Sequence, residues 1–500
     1  MKKLLIDCSF ISTTNLNTGI QRVVRQVLEN IYGICELSEY EVMEVVLENG
    51  ILREISQNNN KSELDGNIKT KKGDVLLLLD SSWHLDTWAS VMYVKSTGAM
   101  VIGVIYDLIP ISHPQYCDEV LVKLFNEWFN QAIELIDAFI TISKTVENDL
   151  KKYLENKYPD KVKSKFFDHF LLGSDFKSKK SDIQTIEINK SLISLYKKQN
   201  KSIYLIVCTL EPRKNHKYLL DVFDILWENN IDVTLNIVGK IGWKVDDLML
   251  RIYNHKYYNT KLFHFGNLND EELTYCYKNS KMLLFPSFIE GFGLPIIESL
   301  NNKLAVLASD IPIHREVGSQ RIGYFDLQNK NDLVSQISKF EETGISESLQ
   351  VPADFRWINW NESTELLFEK IKKFDKKFKP TKIKNLKKNK KSFKQSIKKI
   401  PILGWFLRWS YNLLRLNNIK HSVYIHQTLI NTQQSQLKQQ QILIDKLELK
   451  LTKRELEIIS LQSSIDTKIA KQISYQSVSF QQRIDQFIFD TKIELKNEKL

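Results

Sequence analysis

The chain has 500 residues, 43% of them hydrophobic, which is room for two or three domains of ordinary globular composition. Its net charge of +10 sits in one place: residues 371–400 hold fourteen lysines against the single acid Asp375, a net of +13 that leaves −3 on the other 470 residues. A near-neutral body argues against nucleic acid as a partner, and five scattered cysteines without a C-x-x-C pair argue against a disulfide framework or a zinc site.

Met1-Lys2-Lys3 leads into only Leu4-Leu5-Ile6 before Asp7 interrupts, so no secretory signal is expected. No apolar run approaches the roughly 20 residues that a membrane span needs. In chain order, the short aliphatic runs Leu4–Asp7, Val75–Asp80, Val101–Tyr106 and Ala138–Ile142 predict buried strands. Ile203–Cys208, Val233–Val238, Leu262–Phe265 and Met282–Phe285 predict the same. Helical patterns at Gln21–Ile31, Leu121–Ile136, Lys217–Trp227 and Glu271–Lys278 lie between them. Such alternation means parallel, doubly wound sheets, and it runs too long for one. The fold class is therefore α/β, with two Rossmann-like domains at 1–172 and 202–370 joined by a polar linker at 173–201.

Beyond them the character changes. Residues 371–400 read as a lysine-rich segment, either a flexible linker or a frayed helix. In 401–420, Phe406, Trp409, Leu413 and Leu416 recur at helical spacing, an apolar stripe beside a basic run that suits an anionic membrane surface. The alternative is packing on the enzyme body or on a partner. Val423, Ile430, Leu437, Ile444, Leu451, Ile458 and Ile465 recur every seventh residue, so 421–500 is expected to be an α-helical coiled-coil tail through which the chain oligomerises. A single solvated helix is the competing reading there.

Two segments carry chemistry. Phe285-Pro286-Ser287-Phe288-Ile289-Glu290-Gly291-Phe292-Gly293-Leu294-Pro295-Ile296-Ile297-Glu298 follows a predicted strand and opens a helix, with Pro295 suited to its first turn. Gly291 and Gly293 let backbone amides approach a ligand, and the helix start offers free N–H groups to a diphosphate. Glu290 and Glu298 can sit on opposite sides of that ligand, since a carboxylate accepts hydrogen bonds from vicinal hydroxyls. The second segment, Cys208-Thr209-Leu210-Glu211-Pro212-Arg213-Lys214-Asn215-His216, puts two cations at a strand end, a pattern suited to clamping phosphate.

Residues 203–318 resemble the nucleotide-binding domain of the family 4 glycosyltransferases, which have the two-domain GT-B fold. The family's E-x7-E signature is present as Glu290 and Glu298, and Ile237-Val238-Gly239, Phe265-Gly266 and Ser309–Gly318 fall in the family's order. The resemblance implies that Glu298 binds the donor ribose. It also implies that Glu290 and the Gly291–Phe292–Gly293–Leu294 turn address the sugar, while Arg213 and Lys214 neutralise the leaving diphosphate. Cys208 stands where the family usually has glycine, which puts the local backbone in question.

The first domain resembles the acceptor-side domain of bacterial surface-polysaccharide mannosyltransferases. Gly19, in Thr18–Arg25, marks the loop near the diphosphate and acceptor. Tyr106-Asp107 stands where many relatives have His-Asp, so Asp107 is the candidate polar residue, with His113 a second choice. No Asp-x-Asp stands at a strand end to hold a metal, so a metal-independent reaction without a cofactor is expected. The implied activity is that of a retaining hexosyltransferase that moves a sugar, with mannose from GDP-mannose the first choice, from a nucleotide sugar to a glycan or lipid-linked acceptor. The implied location is cytoplasmic, at the inner face of the membrane. The competing class is a catalytically silent GT-B scaffold that displays its coiled coil.

Overall fold

The computed structural model describes residues 1–14, 19–58, 61–65, 67–174, 188–197 and 202–380. The predicted segments 401–420 and 421–500 lie outside the described residues.

Aliphatic runs become strands where both faces are covered. In the first lobe, β1 (Lys2–Asp7), β2 (Tyr40–Glu48), β3 (Ile51–Asn58), β4 (Lys61–Asp65), β5 (Val75–Leu78), β6 (Met100–Ile105), β7 (Ala138–Thr141) and β8 (Phe166–His169) form one sheet. Its order is β4-β3-β2-β1-β5-β6-β7-β8. β5, β6 and β7 are buried along their whole length, which suits parallel strands with helices on both faces. Toward one edge, β3 pairs antiparallel with both β2 and the edge strand β4. The chain turns from β2 into β3 at Asn49-Gly50, both at positive φ (49° and 86°), the geometry of a two-residue hairpin.

The second lobe is all parallel. Its strands are β9 (Ser202–Val207), β10 (Val233–Val238), β11 (Leu262–Phe265), β12 (Met282–Phe285), β13 (Ala305–Ser309) and β14 (Gly323–Phe325). The order β11-β10-β9-β12-β13-β14 is that of a dinucleotide-binding sheet, with its reversal point between β9 and β12.

The lobes belong to one compact unit, Met1–Ile383. The chain crosses between them twice, side by side. Trp357 Nε1 donates to the Leu172 carbonyl at 2.8 Å and Ser363 Oγ to that of Leu171 at 2.6 Å. The helix Trp360–Lys377 then packs on the first lobe: Ile371 and Phe374 are buried, Asp375 accepts from Tyr40 Oη and pairs with Lys2 at 2.7 Å, and Lys373 pairs with Asp168 at 2.6 Å. The helix runs past the expected boundary at 370–371 to Lys377, because the first residues of the lysine-rich stretch carry an apolar face. The expected linker also holds a helix, Lys190–Lys197, with Leu192 fully buried.

Candidate active site

The carboxyl ends of β9 and β12 flank the reversal point, where an open α/β sheet has a crevice. After β9, the single turn Pro212–Lys214 and the left-handed Asn215 (φ 57°) lead into the helix His216–Glu228. This sets Arg213 and Lys214 side by side. Both reach Glu290 in the loop after β12: Arg213 Nη1 lies 2.7 Å from Oε2, and Lys214 Nζ bonds Oε1. Arg213 also holds Glu211 at 2.9 Å, and the Phe288 amide donates to the Arg213 carbonyl at 2.9 Å, tying the two loops together. Burial alone would raise the Glu290 carboxyl, but the Arg213 and Lys214 charges outweigh it and hold it at about 2.

Gly293 caps the helix Leu294–Asn301 at φ 99°, a left-handed conformation that side chains rarely adopt. At Gly291 the constraint is space. A Cβ there would lie 2.2 Å from the Tyr106 carbonyl oxygen of the other lobe, and the Gly291 carbonyl accepts from Ser143 Oγ at 2.9 Å. Phe292 is buried and packs edge-on to Trp357. Glu298, one turn into the helix, is buried and doubly engaged. Arg22 of the first lobe reaches Oε1 at 2.8 Å, and Tyr277 Oη donates to Oε2 at 2.7 Å.

Asp107 follows β6 and sits against Gly291. Its Oδ1 accepts from the Ile109 amide at 2.9 Å, and burial raises its carboxyl against the opposing Arg213 charge. His113 is set apart in a stack with Tyr116 and Phe288 at the junction of the lobes. Gly19 opens the helix Gly19–Cys35, and a Cβ there would meet nothing within 4 Å among the described residues. Cys208 takes an ordinary backbone conformation: among the described residues the non-glycine positive-φ positions do not include it. The absent glycine therefore leaves the turn intact.

A cleft of about 960 Å³ runs from Gly19 and Asp107 on one lobe to Arg213, Lys214, Glu290 and Glu298 on the other. Trp83, Phe125 and Trp128 supply an aromatic wall on the first-lobe side. Chemically, two cations fixed at the reversal point beside a helix N-terminus can stabilise negative charge that develops on a bound group. Among the described residues, one triad of possible ligands, Glu147, Asp168 and His169, comes close enough to share an ion. It lies away from the residues that line the cleft, and Lys144, Lys151, Lys370 and Lys373 surround it as ion-pair partners.

Residues 188–351 match the family model described as "Glycosyl transferases group 1". The chain carries a group 1 glycosyltransferase domain. The domain takes in β9 to β14, and so both motif loops. The serotype-specific mannosyltransferase WbdA of Escherichia coli is 29% identical over 382 residues, 74% of this chain and 46% of its own length. The O-antigen chain mannosyltransferase B of Escherichia coli is 29% identical over 168 residues, 32% of this chain and 44% of that protein. The chain thus spans about half the length of these curated relatives. Among solved structures, sucrose-phosphate synthase from Thermosynechococcus elongatus superposes with a TM-score of 0.50 at 15% identity, over 75% of this chain and 98% of that one, a likeness of α/β GT-B-like fold.

Sequence reasoning missed Arg22, Tyr277, Glu211 and the role of Glu316. Arg22 lies within the string Thr18–Arg25, but its partner is 276 residues away, so no local pattern announces the pair. Glu316 accepts from the Lys144 and Thr145 amides, both at 2.7 Å, and so caps the helix Lys144–Lys157 of the opposite lobe. His314 is buried, and its Nδ1 lies 2.9 Å from the Ser309 carbonyl.

Proposed function

We propose that the chain is a retaining hexosyltransferase that moves a sugar from a nucleotide-sugar donor to a glycan or lipid-linked acceptor during assembly of a surface polysaccharide. The observation that carries this reading is the meeting of Arg213 and Lys214 on Glu290 at the reversal point of the sheet, within the group 1 glycosyltransferase domain. In this reading Glu298 takes the ribose hydroxyls. Glu290 and the Gly291–Leu294 turn take the sugar, and Arg213 and Lys214 take the charge of the departing diphosphate. Asp107 faces the anomeric end from the acceptor side. Positive charge already fixed in the site does what a divalent cation does elsewhere, so the reaction runs without metal.

The donor we put first is GDP-mannose: WbdA and the O-antigen relative are named mannosyltransferases, which supports the mannose, while GDP rests on the family resemblance alone. Trp83 and Trp128 favour a glycan acceptor, since flat aromatic faces suit the apolar face of a sugar ring. The test is transfer of labelled sugar from a set of nucleotide sugars to mannose-terminated oligosaccharides in EDTA. Transfer from one donor, lost in Glu290→Gln, supports the reading. Release of sugar to water alone, or no turnover with any donor, contradicts it.

A silent scaffold is not favoured, because the cation pair and both glutamates are in place. Among the described residues no helix is long and apolar enough to cross a membrane. We place the protein at the cytoplasmic face as a peripheral protein, on the basic and aromatic sequence of 371–420, of which the part beyond the docked helix can be removed. Flotation with anionic vesicles should be lost when 381–420 is deleted, and undiminished binding would sink this placement.

A further inference from the structure

The Arg22–Glu298 pair joins the lobes at the point where the donor ribose is placed, and its role depends on the nucleotide-sugar reading of the cleft. The side chains of Arg22 and Glu298 are 17% and 4% exposed, and a carboxylate that deep needs a counter-charge. The counter-charge comes from the opposite lobe, from the first turn of the helix Gly19–Cys35, although the second lobe has cations of its own in the same cleft. A carboxylate has about four lone-pair positions, and Arg22 and Tyr277 use one on each oxygen. Two ribose hydroxyls can therefore be accepted without displacing either partner. The guanidinium then stands beside the ribose on the first-lobe wall. Arg213, Lys214 and the N-terminus of the helix Leu294–Asn301 stand on the second-lobe wall of the same cleft. A donor that spans ribose and diphosphate lies between these two positive walls.

We infer that Arg22 is a donor-binding residue contributed by the first lobe: it stays at Glu298 when the nucleotide arrives and sets its charge beside the diphosphate. Donor affinity is thereby tied to contact between the lobes. Nucleotide sugar held this way is gripped from both sides, and loss of the diphosphate product loosens the grip.

The experiment is calorimetric titration of the full chain in EDTA with a nucleoside and its diphosphate, across the common bases, for wild type, Arg22→Met and Arg22→Lys. A charge-assisted contact to the diphosphate predicts that Arg22→Met weakens the diphosphate about tenfold or more while the nucleoside changes by less than about threefold. Arg22→Lys, which keeps the charge, should recover part of the loss. Equal loss for nucleoside and diphosphate makes Arg22 a purely structural clamp and overturns the inference, as does unchanged binding of both. Wild type that binds no diphosphate at all overturns the nucleotide-sugar reading itself, an outcome separable from the other two.

Discussion

Two cations share one buried carboxylate at the reversal point of the second sheet, and that local arrangement makes the sharpest residue-scale predictions. Lys214→Met leaves Glu290 with Arg213 alone and removes a charge from the site of the departing diphosphate. Loss of one such preorganised contact should lower kcat by about 100- to 1,000-fold, read by steady-state transfer assays. An unchanged kcat would place Lys214 outside the chemistry. Two carboxylates should also shape stability with opposite sign. Glu290, held at about 2 despite its burial, contributes stability that is complete above the usual 4.5 and is lost as pH falls toward 2. Asp7, pushed to about 6 by burial and then by the Asp80 charge, holds its proton more tightly folded than unfolded. It contributes stability below the usual 3.8 and loses it as pH rises through 6. The Tm gap between wild type and Asp7→Asn should therefore shift in favour of wild type as pH is lowered from 7 to 5. A gap independent of pH would contradict this, as would one of reversed slope.

Elements are held to one another by contacts that small substitutions can probe. Gly291→Ala puts a methyl group against the Tyr106 carbonyl of the other lobe, so it should cut turnover while far-UV dichroism stays unchanged. Gly293→Ala strains a left-handed cap by roughly 1 kcal/mol or more and should lower Tm as well. Normal turnover in both variants would show that the turn tolerates what the geometry forbids. These glycines are legible in the sequence because a strand, a turn and a helix start succeed one another within a few residues. So are buried strands such as β5 and β12, whose apolar runs are uninterrupted. β2 is not: Glu41 and Glu44 break its run, and it is recognisable chiefly through the Asn49-Gly50 hairpin that follows. β13 and β14 lie beyond the motif and are not among the predicted strands, although Ala305–Ser309 is wholly buried. The end of the second domain is hidden for a different reason. A lysine count masks the spacing of Ile371 and Phe374, which decides that the helix docks. Arg22–Glu298 and the Glu316 cap are out of reach because they join residues from opposite lobes.

At the scale of the whole molecule, the described lobes belong to one unit, Met1–Ile383. A chain cut after Ile383 should fold and bind donor like the full protein. If the tail is the coiled coil that its heptads suggest, light scattering should show the cut chain as a monomer and the full chain as an oligomer. Equal masses would remove oligomerisation from the tail's role. A metal-free nucleotide-sugar site is tested most sharply by calorimetric titration of nucleoside diphosphates into wild type and Glu298→Gln with EDTA present. Wild type should bind one diphosphate tightly without metal, and loss of the carboxylate charge should weaken that binding at least tenfold. Binding that requires a divalent cation would contradict the metal-free site, and affinity unchanged in Glu298→Gln would contradict the ribose assignment. Absence of binding by every nucleotide would contradict the nucleotide-sugar transferase itself.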